Sequence, residues 1–364
     1  MLCDKNIIKR YCELASINAL SQYEKPVAEY IAAFAEQNKI PYSFDDSSTF
    51  TGSDTGNIIL EVNGGGEKIL LSHMDTARPT RNLNIIIDDE KISSDGNTVL
   101  GVDNRAGIAA ILSAVESAIS EPSSYDGFYA AFVTCEETTL AGSRYLKISE
   151  NVKEGFIFDS YLRPGKLITS SFGAAGFRVK ITGKAAHSGI SPEKGINALS
   201  AAVKIIKEIP VGRVNRETTI NIGKIAGGTA VNVVPEYVEF EGEVRSSGVA
   251  RVEELIYEIE EKIKHGCDFF GCRYEFEFRW DFKPFKLPEN APIKNVAKKA
   301  VEEAELEYEE LTSMGGSDAN SLNERGIHAL NFGIGAQNPH SNDEFIYLVD
   351  LQKSFEIAKN LVKK

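Results

Sequence analysis

The sequence predicts an α/β fold with a smaller ferredoxin-like α+β domain inserted into it. Three observations carry this expectation. Apolar runs of strand type alternate with helix-type segments from the start of the chain. Two stretches rich in glycine, proline and small residues, 163–176 and 283–292, punctuate it. Between them the elements run strand, helix, strand, strand, helix, strand, which is the split βαβ order. The expected division is residues 1–172 with 284–364 for the larger domain, and 173–283 for the insert. A chain of 364 residues suits two domains at roughly 150 residues each.

The elements follow in order. Residues 57–62, the turn Asn63-Gly64-Gly65-Gly66 and residues 67–72 read as a hairpin. Residues 104–117 read as a helix. Residues 128–134 and 156–158 are short apolar runs of buried-strand type. In the insert, strands are expected at 177–182, 218–225, 237–245 and 273–282, with a helix at 196–209. Its second helix is marked by Val252, Leu255, Ile256, Ile259 and Ile263, which fall on one face. The chain then gives a strand at 327–332 and a last helix from Asp350, with Leu351, Phe355, Ala358 and Leu361 as its apolar stripe.

Bulk properties exclude some functions. The formal net charge of -13 argues against a nucleic-acid partner, whose phosphates call for basic patches. It suits solubility instead. No apolar run approaches the ~20 residues that span a bilayer, so no membrane partner is expected. Met1-Leu2-Cys3-Asp4-Lys5 leads into a charged stretch, not a signal peptide. The 5 cysteines are odd in number and lack CxxC spacing. Neither a disulfide framework nor a cysteine zinc site is expected, and a reducing cytoplasm is the natural home.

Metal-competent side chains fall at the ends of the expected strands, where open α/β sheets place their sites. These are His73-Met74-Asp75, Cys135-Glu136-Glu137, Asp159, and His340 beyond a glycine loop. Asp103 follows Gly101-Val102 at a helix start. Zinc takes imidazole and carboxylate ligands, and two metals sharing a carboxylate can activate one water. Taken singly, Asp103 is an ordinary helix cap, Glu136-Glu137 a solvated face and His340 a loop histidine. Their joint placement at successive strand ends favours a metal site.

The order His73-x-Asp75, Gly101-x-Asp103-x-Arg105-x-Gly107, Glu136-Glu137, Asp159 and Pro339-His340 resembles the dizinc peptidase family that holds peptidase T, carboxypeptidases and amino-acid deacylases. The likeness covers nearly the whole chain. Gly315-Gly316-Ser317-Asp318-Ala319-Asn320 and the spacing to Gly333-Ile334-Gly335 are most similar to peptidase T-like members. The resemblance implies a mixed-sheet dizinc catalytic domain with an inserted lid. It implies one metal on His73, Asp103 and Asp159, and a second on Asp103, Glu137 and His340, with Asp103 bridging. Asp75 would orient His73, and Glu136 would activate the water and later protonate the leaving amine. Two zinc ions suit these ligands, and cobalt or manganese fit them too.

The lid is implied to add His187 as an oxyanion or substrate contact, and Asn232 with Arg245 as a grip on a substrate carboxylate. Gly316 and Ser317 are implied to line the substrate site. The family also implies a homodimer through the lid, in which the lid histidine and asparagine reach across to the partner. His265 and His328 match no motif and read as structural. Two departures stand out. Peptidase T carries Asp-Asp-Lys where this chain has Asp103-Asn104-Arg105, and an arginine where it has Met314. The expected function is hydrolysis of short peptides, releasing N-terminal residues from di- or tripeptides. The alternative is an N-acyl amino-acid deacylase or carboxypeptidase on the same scaffold. A non-catalytic binding module is disfavoured because Glu136 and every expected ligand are in place.

Overall fold

The computed structural model describes residues 3–364; Met1 and Leu2, which open the N-terminal stretch, lie outside the described residues. The fold is mixed α/β and falls into two compact units. One takes the chain up to Ser170 together with Lys286–Ser313 and Ser317–Lys364. The other takes Ser171–Phe285 and Met314–Gly316. Among the described residues no helix is long and apolar enough to cross a membrane.

The first unit is organised by a mixed sheet. From one edge its strands run Tyr42–Phe44, Ile58–Val62, Phe128–Val133, Lys68–His73, Glu154–Ser160, His328–Gly333 and Lys166–Ser171. The four from Phe128–Val133 to His328–Gly333 are mutually parallel. They are nearly continuous apolar runs because both faces are covered. The helix Val102–Ser120 packs on Lys68–His73 and Glu154–Ser160 and is buried along almost its whole length. Its alanines (Ala106, Ala109, Ala110, Ala114) allow that close approach, and their helix propensity favours the helix. The last helix, Leu348–Leu361, lies against it through Leu351, Ala358 and Leu361, while Phe355 is only half-buried.

The glycine turn at 63–66 does not close a hairpin. Ile58–Val62 and Lys68–His73 are separated by Phe128–Val133, which pairs antiparallel with the first and parallel with the second. The physical reason lies in the apolar run of the inserted strand, whose backbone demands a partner on each side. The turn must therefore pass across the end of that strand. A Cβ on Gly66 would sit 2.1 Å from the Gly127 carbonyl oxygen, so only glycine fits the crossing.

The second unit is a five-stranded antiparallel sheet in the order Gly212–Asn215, Thr218–Gly227, Tyr237–Ser246, Gly173–Thr182, Arg273–Phe282. Helices Ala198–Glu208 and Val249–Phe270 pack on it. Val252, Leu255, Ile256, Ile259 and Ile263 join Phe177, Val179, Ile181 and Phe240 in its core. The long helix stops at Gly271, whose φ of 71° suits a residue without a Cβ. The edge strand Gly212–Asn215 is an addition to the expected order. Its turn is set by Asn215, whose Oδ1 accepts from the Glu217 amide at 2.8 Å.

Candidate metal centre

The parallel strands end on one edge of the sheet, and the register sets what meets there. His73 pairs with Val133, two residues before Cys135. Leu71 pairs with Ile157, which brings His73 level with Asp159. Gly333 pairs with Ser160 and leads into the loop that carries His340.

His73 is buried, with its ring held between acids. Its Nδ1 lies 3.0 Å from the Asp75 carbonyl oxygen and 3.3 Å from Asp75 Oδ1. Its Nε2 lies 3.0 Å from both Asp103 Oδ1 and Asp159 Oδ1. Nδ1 thus faces Asp75, and Nε2 faces two carboxylates. Burial opposes a charged ring, yet hydrogen bonds to Asp103, Asp159 and Asp75 outweigh it and hold the His73 pKa well above its ordinary value.

A second group shares Asp103. His340 Nε2 is 3.3 Å from Asp103 Oδ2 and 3.1 Å from Glu137 Oε1. Hydrogen bonds to Asp103 and Glu137 push the His340 pKa up to about 10. Burial works against the charge on Asp103, but His340 and His73 hold it down at about 2. The triads His73, Asp103, Asp159 and Asp103, Glu137, His340 each keep their ligand atoms within 4.8 Å of one another. The donor set fits a metal. Tetrahedral zinc with ligands at ~2.0–2.1 Å spaces them roughly 3.3 Å apart, near the separations seen, and three protein ligands leave a position for water.

Glu136 sits beside both groups without belonging to either. Burial and the neighbouring charge of Asp159 raise its pKa well above the usual carboxylate range. Its position is set by Asp75, which is wholly buried. Asp75 accepts from the amides of Glu136 and Glu137 at 3.2 and 3.1 Å, and from the Ser21 hydroxyl at 2.6 Å. One carboxylate thus ties the end of the His73 strand to the turn that carries Glu136 and Glu137.

Sequence reasoning missed several supporting residues. Glu344 accepts from the amides of Gly101 (2.7 Å) and Asp103 (3.2 Å), fixing the loop that presents Asp103. Burial and the charge of Asp103 push its pKa up to about 7. Asn104 donates from Nδ2 to the Phe158 carbonyl (2.7 Å) and to Asp159 Oδ1 (2.9 Å). Its own Oδ1 accepts from the Gly107 amide at 3.1 Å. A Cβ on Gly107 would lie 2.3 Å from the Phe158 carbonyl oxygen, which accounts for the last glycine of Gly101-x-Asp103-x-Arg105-x-Gly107. Glu24 accepts from the Cys135 amide at 2.9 Å. Arg105 is buried behind the site and donates to the Met74 carbonyl. Burial lowers its pKa to about 10, against the pull of Asp75, Tyr11, Glu24 and Asp103. Asp318 is a further buried acid, raised to about 7 by burial, with the Ser143 hydroxyl drawing it down and Asp159 pushing it up.

The expected substrate residues are spread out. His187 and Asn232 lie on adjoining exposed loops of the second unit, where the Ser188 amide donates to the Asn232 carbonyl at 3.0 Å. Arg245 is at the other end of the same sheet, opposite Thr219, whereas Val238 lies opposite Gly227. At ~3.3 Å per residue, the seven positions from Val238 to Arg245 span roughly 23 Å. Ser317 caps the helix Asp318–Glu324, and its amide donates to Asn320 Oδ1 at 3.0 Å in a capping box. Gly316 lies under Phe282, 2.6 Å from ring to its would-be Cβ. His265 and His328 stand apart from both ligand groups.

Known proteins resemble this chain along its whole length. Residues 169–268 match the M20 peptidase dimerisation domain. The Bacillus subtilis (strain 168) protein YqjE is 29% identical over 100% of this chain and 99% of its own length. The crystal structure of aminopeptidase PepT from Bacillus cereus is 28% identical with a TM-score of 0.90, covering 100% of this chain and 99% of that one. A Staphylococcus aureus tripeptidase structure is 25% identical with a TM-score of 0.91, covering 99% of each chain. The chain is similar along its whole length to peptidase T-like members of the M20 peptidases. The dimerisation-domain match runs through the second unit, from its first strand into Val249–Phe270.

Proposed function

We propose that this peptidase removes N-terminal residues from di- and tripeptides in the cytoplasm, using two divalent metal ions with zinc as the best fit. The observation that carries the reading is the pair of ligand triads sharing Asp103. His73, Asp103 and Asp159 would hold one ion, and Asp103, Glu137 and His340 the other. Bound there, the ions would polarise the scissile carbonyl and acidify a water. The protein's residues do the rest. Asp75 fixes the tautomer of His73 and aims Glu136 through its amide. Glu136, raised by burial and by Asp159, takes the proton from the water and returns it to the leaving amine. The short-peptide substrate is supported by the likeness to PepT and tripeptidase structures.

Asn232 and Arg245 lie too far apart in one chain to grip the same carboxylate. A homodimer through the second unit, with His187 and Asn232 serving the partner's site, reconciles them and agrees with the dimerisation-domain match.

The test is hydrolysis of a dipeptide and tripeptide panel by zinc-loaded protein, each peptide with a free or blocked amino terminus. Cleavage of the free forms alone is expected. Cleavage of blocked forms alone would instead favour a deacylase or carboxypeptidase. Glu136→Gln should keep its zinc and lose at least about 100-fold in kcat; full turnover in that variant would remove Glu136 from the mechanism.

A further inference from the structure

Cys135 stands where the chain turns out of the strand Phe128–Val133 into the short helix Glu136–Thr139. Its φ of 53° and ψ of 37° are left-handed. A residue with a Cβ is disfavoured there and stays only where its surroundings hold it. The two peptide planes that flank it are each held by a buried carboxylate. The Cys135 amide, on the side of the strand, donates to Glu24 Oε1 at 2.9 Å. The Glu136 amide, on the side of the helix, donates to Asp75 Oδ1 at 3.2 Å. Peptide planes are rigid, so fixing both leaves Cys135 little freedom in φ or ψ.

Glu24 is itself firmly placed. It is fully buried. Its Oε1 also accepts from the Gln22 amide at 2.9 Å, and its Oε2 accepts from the Ser53 hydroxyl. The loop that carries it is tied to the end of the His73 strand. Ser21 donates to Asp75 Oδ2 at 2.6 Å, and the Thr76 amide donates to the Ala19 carbonyl at 3.0 Å. Residues 19–24 thus hold two strand ends together, the one bearing His73 and the one leading to Glu136. Arg105, buried behind the site, feels the charge of both Asp75 and Glu24 and offsets their mutual repulsion.

We propose that Glu24 is a positioning residue for hydrolysis. It keeps Cys135 left-handed and so sets the direction in which Glu136 and Glu137 leave the sheet. The inference rests on the roles given to those two residues above. Glu24 acts through the Cys135 backbone and not on the reacting atoms. Without its acceptor, Cys135 is free to relax toward an ordinary conformation, which swings the side chain of the next residue, Glu136.

The test asks whether a glycine at position 135 removes the need for Glu24. Glu24→Met keeps the length of the side chain and removes the acceptor. At saturating zinc its kcat on trialanine should fall at least about tenfold, with KM changed less than about twofold. Its zinc affinity, read by competition with a chromogenic chelator, should fall roughly tenfold as Glu137 shifts. Glu24→Gln keeps an acceptor oxygen at the same reach and should retain most of both. Cys135→Gly in the Glu24→Met background should recover at least about threefold in kcat, because glycine enters the left-handed region freely; alone it should not raise kcat. Glu24→Asp keeps the charge but withdraws it by one methylene, and gives the same comparison if Glu24→Met does not fold. Unchanged kcat in the Met or Asp variant, or a loss that Cys135→Gly does not relieve, overturns the proposal. The base assignment is judged apart, by Glu136→Gln. If that assignment or the peptide substrate falls, chelator competition on the Glu24 variants still reports whether Glu24 places Glu137.

Discussion

Replacing Asn104 by alanine tests how the site is held. Asn104 is fully buried and makes three hydrogen bonds, to the Phe158 carbonyl, to Asp159 Oδ1 and from the Gly107 amide. Alanine removes all three and leaves a carbonyl, a carboxylate oxygen and an amide without partners in the interior. At ~1 kcal/mol for each bond, with more where a charged partner stays buried, the loss is about 3–4 kcal/mol. That is a large part of the ~5–15 kcal/mol a domain has in total. Asp159 would keep one neutral donor, Asn331 Nδ2 at 3.4 Å, which is long. Its Oδ1, now 3.0 Å from His73 Nε2, would be released to turn. Loss of a residue that orients a ligand costs roughly 10–100-fold in metal affinity. Urea unfolding of the metal-free protein reads the first effect, and competition with a chromogenic chelator for zinc reads the second. A variant that loses stability yet holds zinc like the wild type would refute the reasoning, because Asn104 would then support the fold and not Asp159.

Other predictions follow from the same geometry. Gly107→Ala drives a methyl group into the Phe158 carbonyl and Asn104 Oδ1; the clash costs about 1–3 kcal/mol, partly offset by ~1 kcal/mol of helix propensity, and a weaker zinc affinity is expected in the chelator assay. His340, raised to about 10 by Asp103 and Glu137, contributes stability to the metal-free protein that is fully present below its unfolded pKa of ~6.5 and is lost as pH rises through about 10. Zinc held by His340 as proposed would have to displace that proton, so calorimetry at pH 7.5 in two buffers of different ionisation enthalpy should show proton release, and apparent affinity should rise with pH; pH-independent affinity between 7 and 9 would contradict this. Ser317→Ala should cost about 1 kcal/mol through loss of the cap with KM unmoved, whereas a raised KM at unchanged stability would assign Ser317 to the substrate.

The candidate ligand residues were legible because chemistry and periodicity coincide. Apolar runs end in His73, Glu136-Glu137 and Asp159, and such runs signal buried strands whatever surrounds them. The stripe Val252, Leu255, Ile256, Ile259, Ile263 was legible for the same reason, since a helix that buries one face must repeat its apolar residues every three to four positions. The glycine turn at 63–66 misled because a local turn signal carries no information about a strand inserted from 60 residues onward. Nothing local marks Glu24, Glu344 or Asn104 either. Each is an ordinary polar residue until the fold brings a backbone amide or a ligand carboxylate to it.

The chain's local patterns give the α/β class, the insert's elements apart from its edge strand Gly212–Asn215, and the residue types gathered at the strand ends. These depend on local periodicity and on side-chain chemistry, both of which are present in the unfolded chain. Tertiary packing sets the distances from Asp103 to His73 and His340, and it has Asp75 hold the Glu136 amide as well as face His73. It alone brings Glu24 to the Cys135 amide. Contacts of that kind join residues tens to hundreds of positions apart, and it is strand register, a property of the whole sheet, that selects them.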